Sequence, residues 1–308
     1  RADPGHGGGA MRRWAVTALL AALLAGCGES QGGLPGTSSA DGPVSLVVQP
    51  TITELLTGTD RIGLALLDKA GKPVTGATQV SMVVQGVGGV DEHRPLRDIG
   101  PEYGGIPVYT GTASFPQVGV YRLLVSAILP GGRTGGGTIS VRVSDKGPGL
   151  TIGAHAPAVR QPILGDPGVT IGQIDSGNPP DAWHNATVAD GLARHRPMVL
   201  YFGEPGFCKS RTCGPTVQIL QQFAQRYGDR FLVEHVEDHF PAGPDEGARD
   251  NPGFTAFGLA TDPWIYFVNA DGVISDRFEG PVTVADLASA ADGTLAGKVP
   301  AVEIALNG

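Results

Sequence analysis

From Val44 to about Val143 the chain alternates apolar and polar residues in short runs. The clearest runs are Val44–Val48, Arg61–Leu67, Gln79–Gln85, Gly119–Val125 and Gly137–Val143. Side chains two apart on a strand share a face, so each run predicts a strand with one buried side. Gly/Pro turns such as Asp68–Pro73 separate them. Short strands at this spacing predict an antiparallel β-sandwich of immunoglobulin type over residues 43–145. The stretch contains no cysteine, so it lacks the inter-sheet disulfide of antibody domains.

The rhythm changes near Trp183. Val188–His195 has helical character. Met198–Phe202 is a continuous apolar run, as expected for a strand buried on both faces. After a loop, Val217, Ile219, Leu220, Phe223, Ala224 and Tyr227 fall on one broad helical face, and Gly228 is a suitable stop. Phe231–Val236 and Trp264–Val268 predict two further strands. Asn269–Gly272 predicts a hairpin turn, Val273–Glu279 the returning strand and Val282–Leu295 a closing helix. Residues 146–182, rich in Gly and Pro, read as an inter-domain linker, and 298–308 as a tail.

The first 42 residues carry no such pattern. Residues 1–10 are Gly-rich and lack a Met, and read as an upstream start error before Met11. Arg12 and Arg13 precede an apolar run, Trp14–Ala25, which is too short to span a bilayer and suits a signal-peptide core. It ends in Leu24-Ala25-Gly26-Cys27, which resembles the bacterial lipobox. That resemblance implies a lipoprotein signal peptide over 11–26 and lipid attachment at Cys27. Residues 27–42 would then tether the protein to the outer side of the cytoplasmic membrane. The partner at that end is the membrane itself, through the acyl chains.

Composition narrows the function. The 308 residues carry a net charge of −8 with 6% aromatics, which argues against nucleic-acid binding through phosphate neutralisation or base stacking without excluding a local basic patch. Gly 48 and Pro 25, without a G-X-Y period, point to turns and linkers rather than collagen. No P-loop, dinucleotide fingerprint or Ser-His-Asp elbow is present. Three cysteines remain as candidate chemistry. Once Cys27 is lipidated, Cys208 and Cys213 are left as a pair in an exported protein, where thiols oxidise.

That pair sits between a buried strand and a helix, and Asp262-Pro263 stands just before a hairpin. In these features residues 183–297 resemble the thioredoxin fold. The whole chain resembles actinobacterial exported lipoproteins that join a small sandwich to a thioredoxin-like domain. The expected fold class is therefore two domains, an N-terminal all-β immunoglobulin-like sandwich and a C-terminal α/β thioredoxin-like domain. The resemblance implies a thiol–disulfide oxidoreductase acting on a protein dithiol or disulfide and needing no cofactor. Cys208, Cys213 and a cis-proline at Pro263 would be its catalytic residues.

The sequence departs from that family in having C-x4-C rather than C-x-x-C. Residues five apart on an ideal helix diverge, so Cys208 must lie in the loop and Cys213 near the helix start. Either Cys208 matches the family's first cysteine, or Cys213-Gly214-Pro215-Thr216 matches a box whose second cysteine has become Thr216. The nucleophile is open between the two. Lys209, Arg211 and the helix N-terminus favour a thiolate, whereas Glu204 and Asp262 oppose it. Tyr201 stands where the family has a buried carboxylate.

Two other readings stand beside this one. Sco-type copper chaperones are similar in fold and implied chemistry, so Cys208, Cys213 and His239 would form a Cu(I) site. Alternatively the pair is a structural disulfide in a non-catalytic lipoprotein. His93 and His235 read as solvated or packed. Zinc would require further Cys or His at short spacing.

Overall fold

Gly119–Ile128 shows how the first half of the chain is built. Tyr121, Leu123, Val125 and Ala127 are buried, and the residues between them face outward. The computed structural model describes residues 42–244 and 247–299. Its first nine strands are β1 (Val44–Ser45), β2 (Val47–Pro50), β3 (Gly58–Leu67), β4 (Thr78–Gly86), β5 (Val90–Pro95), β6 (Arg97–Asp98), β7 (Tyr109–Phe115), β8 (Gly119–Ile128) and β9 (Thr134–Val143). They form a five-stranded sheet, β1-β9-β8-β4-β5, and a four-stranded sheet, β2-β3-β7-β6.

Ile62, Leu64 and Leu66 of β3 share one apolar core with Val80, Met82 and Val84 of β4 and the inward residues of β8. At about 1.5–3 kcal/mol for each large side chain fully buried, this core holds the two sheets together. Tyr121 adds a corner: its hydroxyl donates to the Gln117 carbonyl at 2.9 Å, and its ring meets Phe115 edge-on at 5.0 Å. That is the immunoglobulin-like device for closing a strand end. The ring lies so close to Gly86 that a Cβ there would come within 2.2 Å of it. Residues 44–143 are thus an immunoglobulin-like β-sandwich.

The rest of the chain comprises α1 (Ile171–Ile174), α2 (Val188–Ala193), β10 (Met198–Phe202), α3 (Cys213–Tyr227), β11 (Leu232–Val236), β12 (His239–Phe240), β13 (Arg249–Asp250), α4 (Pro252–Ala256), β14 (Trp264–Val268), β15 (Ile274–Glu279) and α5 (Val284–Leu295). Beyond the two sheets of the sandwich, the second half of the chain has its own four-stranded sheet, called the second sheet below, of order β11-β10-β14-β15, with β10 and β11 parallel and the other pairs antiparallel. All five residues of β10 are buried because both faces are covered. Val199, Tyr201, Ile265 and Phe267 pack under α3 and α5. Met198, Leu200, Phe202 and Tyr266 pack on the opposite side with Val188 and Phe257.

This architecture corrects the expected two-domain fold class. The all-β immunoglobulin-like part stands, but a C-terminal α/β thioredoxin-like domain does not. Strands outnumber helices along the described chain, and three of the five helices have six residues or fewer. The second sheet holds a single parallel pair. A parallel pair needs a crossover, usually helical, and α3 is the one full-length helix available for that. Between β11 and β14 the chain instead spends its residues on the small β12–β13 pair and one helical turn. A run such as Met198–Phe202 reports burial on both faces, not the direction of its neighbours.

The described residues cluster as one unit from Asp41 onward. Ile99, Tyr103 and Val108, from the sandwich side, belong to the same apolar cluster as Tyr201 and Phe223. Glu54 pairs with Arg277, and the Glu54 N–H donates to Glu279 at 2.9 Å. Segment 146–182 runs along the second sheet, with Gly153 N–H donating to the Ile274 carbonyl and Ala156 N–H to that of Gly272. Residues 11–26, Cys27 and most of the 27–42 tether lie outside the described residues, as do residues 300–308. No described helix is long and apolar enough to cross a membrane.

Candidate functional site at the Cys208–Cys213 loop

β10 delivers the chain to a loop whose first residue must be small. A Cβ on Gly203 would lie 2.6 Å from the Tyr201 hydroxyl. The loop then turns on Glu204, whose carbonyl accepts from the N–H groups of Phe207 at 3.0 Å and Cys208 at 2.8 Å. Arg211, at φ 62°, reverses the chain again, and α3 begins at Cys213. The two cysteines are thereby brought to a Cα–Cα separation of 6.0 Å and are joined as a disulfide. This fulfils the requirement set by the wide spacing, one sulfur in the loop and one at the helix start.

The two sulfurs are not equivalent. Cys213 is fully buried, whereas Cys208 is half-exposed. The Cys213 N–H donates to Cys208 Sγ at 3.3 Å, and Ser210 Oγ lies 3.1 Å from the same sulfur. No acidic side chain stands in the first turn of α3. The partial positive charge of the helix start therefore acts on the pair unopposed within the helix.

Behind the pair stand two tyrosines. Tyr201 donates to the Cys213 carbonyl at 3.2 Å. Tyr103, reaching from the sandwich side, donates to the Thr212 carbonyl at 2.6 Å and lies 2.7 Å from Thr216 Oγ1. Both are buried, and burial raises both phenols well above their ordinary range. They act as neutral hydrogen-bond donors that hold the helix start in place.

A carboxyl group reaches the pair from the loop before β14. Asp262 Oδ2 lies 2.9 Å from Cys213 Sγ and accepts from the Glu204 N–H at 3.4 Å. Burial raises the Asp262 pKa, and the neighbouring Glu204 charge adds to the rise. Pro263 follows through a cis peptide bond and accepts from the Gly280 N–H at 2.9 Å. The predicted Cys208, Cys213 and Pro263 loop thus meet at one place, with Asp262 as their link.

His239 is placed differently. Its Nδ1 is 2.9 Å from Glu204 Oε1, which also accepts from the His239 and Gly243 N–H groups. Among the described residues, the third ligand-bearing side chain grouped with the two sulfurs is Asp262, not His239. A carboxylate is a hard donor and a poor match for Cu(I). Sequence reasoning recognised Asp262 only as a charge opposing a thiolate. Its position beside Pro263 was the available signal for contact. Tyr103, more than a hundred residues away in sequence, gave none.

No family model matches the chain, and no curated protein matches it. Similar solved structures include CopC from Methylosinus trichosporium OB3b, 14% identical, covering 32% of this chain and 91% of that one at a TM-score of 0.24. Another is the fibronectin type-III domain of human fibronectin type III domain containing protein 3, 17% identical, covering 36% and 94% at 0.22. A third is the PKD domain of an M14-like peptidase from Thermoplasmatales archaeon SCGC AB-540-F20, 12% identical, covering 33% and 96% at 0.21. None of these three is thioredoxin-like, and scores this low carry no inference about activity.

Proposed function

We propose that this protein exchanges disulfides with a partner protein through Cys208 and Cys213. The observation that supports it is the asymmetry of the pair: Cys208 is partly exposed, whereas Cys213 is fully buried with its sulfur against a carboxyl group. A partner thiolate attacks Cys208 Sγ, the reachable atom. The Cys208–Cys213 bond breaks, a mixed disulfide forms at Cys208, and Cys213 leaves as a thiolate. Asp262, when protonated, gives its proton to that sulfur. A second partner thiolate then attacks the mixed disulfide and releases the reduced pair and an oxidised partner. In reverse, the Asp262 carboxylate takes the proton from Cys213 as it resolves the mixed disulfide.

The test is exchange with a small aromatic disulfide, together with the reduction potential of the soluble protein. Exchange should be abolished in Cys208→Ser, and Cys213→Ser should stop at a stable mixed disulfide. A potential below about −300 mV with no exchange would make the bridge structural and sink this function. We propose further that Cys27 carries the lipid that holds this chemistry at the outer face of the membrane. Cys27→Ser should then move the protein from the membrane to the soluble fraction.

A further inference from the structure

Behind the cysteine loop, two histidines and two aspartates converge from distant parts of the chain. Asp175 and Asp181 come from the Gly/Pro-rich segment, His184 from the stretch before α2, and His235 from β11. One ligand atom from each lies within 4.8 Å of all the others. His184 Nε2 is 2.9 Å from Asp175 Oδ2 and 3.1 Å from Asp181 Oδ1. His235 Nδ1 is 2.9 Å from Asp181 Oδ2 and 3.9 Å from Asp175 Oδ2. These contacts, in which Asp181 meets each histidine through a different oxygen, are near the edge of about 3.3 Å expected for a tetrahedron with zinc–ligand bonds near 2.0–2.1 Å.

Two features outside the cluster point to an ion. His235 Nε2 is 2.9 Å from the Gly203 carbonyl, an acceptor, so this nitrogen carries the proton and Nδ1 faces the aspartates. A ligating histidine is held in this way, its second N–H spent on a backbone carbonyl. The aspartates are likewise fixed by backbone: Gly177 N–H donates to Asp175 Oδ1 at 2.6 Å, and Trp183 N–H to Asp181 Oδ1 at 2.9 Å.

Charge gives the second argument. The four side chains are between 0% and 4% exposed. Among the described residues, the cations paired with Asp175 and Asp181 are these two imidazoles and no Lys or Arg. The rings are 5.0 Å apart, and a further carboxylate oxygen, Glu237 Oε1, lies 3.7 Å from His235 Nε2. One divalent cation balances the charge of the two aspartates with both imidazoles as neutral ligands.

We propose that Asp175, Asp181, His184 and His235 form a structural site for a divalent transition-metal ion, of which zinc best suits two nitrogens and two oxygens in a closed tetrahedron. The site ties residues 175–184 to β11 and, through Gly203, to the floor of the cysteine loop.

Because the site is closed, it is tested by loading during folding. The protein is unfolded with a chelator, refolded with or without Zn²⁺, freed of excess metal and assayed for zinc by elemental analysis. We expect about one zinc per chain, retained in a Cys208→Ser/Cys213→Ser variant, and a higher Tm for the loaded form. Zinc should fall at least about tenfold in His184→Gln and Asp181→Asn, and should persist in His239→Gln. If the ligand variants do not fold, Co²⁺ loading of the cysteine-free protein decides. Intense tetrahedral visible bands without a thiolate charge-transfer band support the site. Absence of zinc from the wild type, its loss with the cysteines, its retention in both ligand variants, or a Co²⁺ spectrum lacking those bands would overturn it.

Discussion

The sandwich and the second sheet bury different chemistry. Between its sheets the sandwich buries hydrocarbon almost alone: Leu46, Ile62, Leu66, Met82, Val84 and Leu123 with three aromatic rings. The second sheet has an apolar centre as well, but its loop end holds buried Glu204, Glu237, Asp175, His184 and His235 together with one disulfide. Buried ionisable groups cost free energy unless paired, and they are unnecessary for holding a sheet together, as the sandwich shows. The difference identifies the loop end as the place where stability has been given up for chemistry.

The largest expected effect tests the hydrocarbon side of that comparison. Leu66→Ala, at a fully buried position, should cost about 2–5 kcal/mol in denaturant unfolding. In the protein that remains folded, the exchange rate at Cys208 should be unchanged. A changed rate would mean that the sandwich core sets the geometry of the loop.

Asp262→Asn probes the other side. It keeps the shape but cannot transfer a proton to or from Cys213. We expect exchange to slow by about 10²-fold, the lower range for a positioned acid or base. Corrected for the fraction of partner thiolate, the wild type should be reduced fastest below the raised Asp262 pKa, where the acid is protonated, and more slowly as pH rises through it. The variant should lose that dependence. A variant with the wild-type pH profile would remove Asp262 from the mechanism.

Tyr103→Phe should act between the two regions. Its hydroxyl supplies one of three hydrogen bonds to the Thr212 carbonyl, the others coming from the Thr216 hydroxyl at 2.9 Å and the Thr216 N–H at 3.0 Å. Because two remain, the loss should be about 1 kcal/mol, measured by denaturant unfolding. Exchange should alter only modestly. A large kinetic effect would show that the sandwich holds the helix start in its reactive position.

The two regions also differ in how much of them can be read from the chain. Strands such as β4 and β8 were legible because one face is apolar and the other polar, so alternation survives in sequence. β5 and β7 were not, since Val90–Pro95 is mostly charged and Tyr109–Phe115 is built of small polar residues that pair through backbone. The disulfide was legible from compartment and spacing. Which sulfur is exposed was not, because that depends on how Glu204 and Arg211 turn the loop. Segment 146–182 read as an extended linker. Its ties to the second sheet are backbone hydrogen bonds across more than a hundred residues, which leave no periodic trace. For the same reason Asp175 and Asp181 gave no sign of their meeting with His235.

Asp238 provides the smallest test and the most direct measure of the cost of this acidic end. Burial, with the nearby charges of Asp262, Glu204, Glu237 and Asp250, pushes its carboxyl up to about 9. One of its oxygens, Oδ1, has no hydrogen-bond partner. The folded protein therefore holds a proton there that the unfolded chain releases near pH 4. Folded protein binds more protons than unfolded between those two values, so this contribution is complete at pH 4 and is lost as pH rises toward 9. Asp262 shifts in the same direction and adds to the slope. Asp238→Asn is neutral throughout, and should match the wild type near pH 4 and flatten the decline in Tm above pH 6. By pH 9 the gain should be about 1 kcal/mol, or 2–4 °C for a protein of this size, with water at this half-buried group limiting the effect. Thermal melts across that range decide it: parallel Tm curves for the two proteins would show that Asp238 is ionised in the fold, and that the loop end tolerates its negative charges without holding protons.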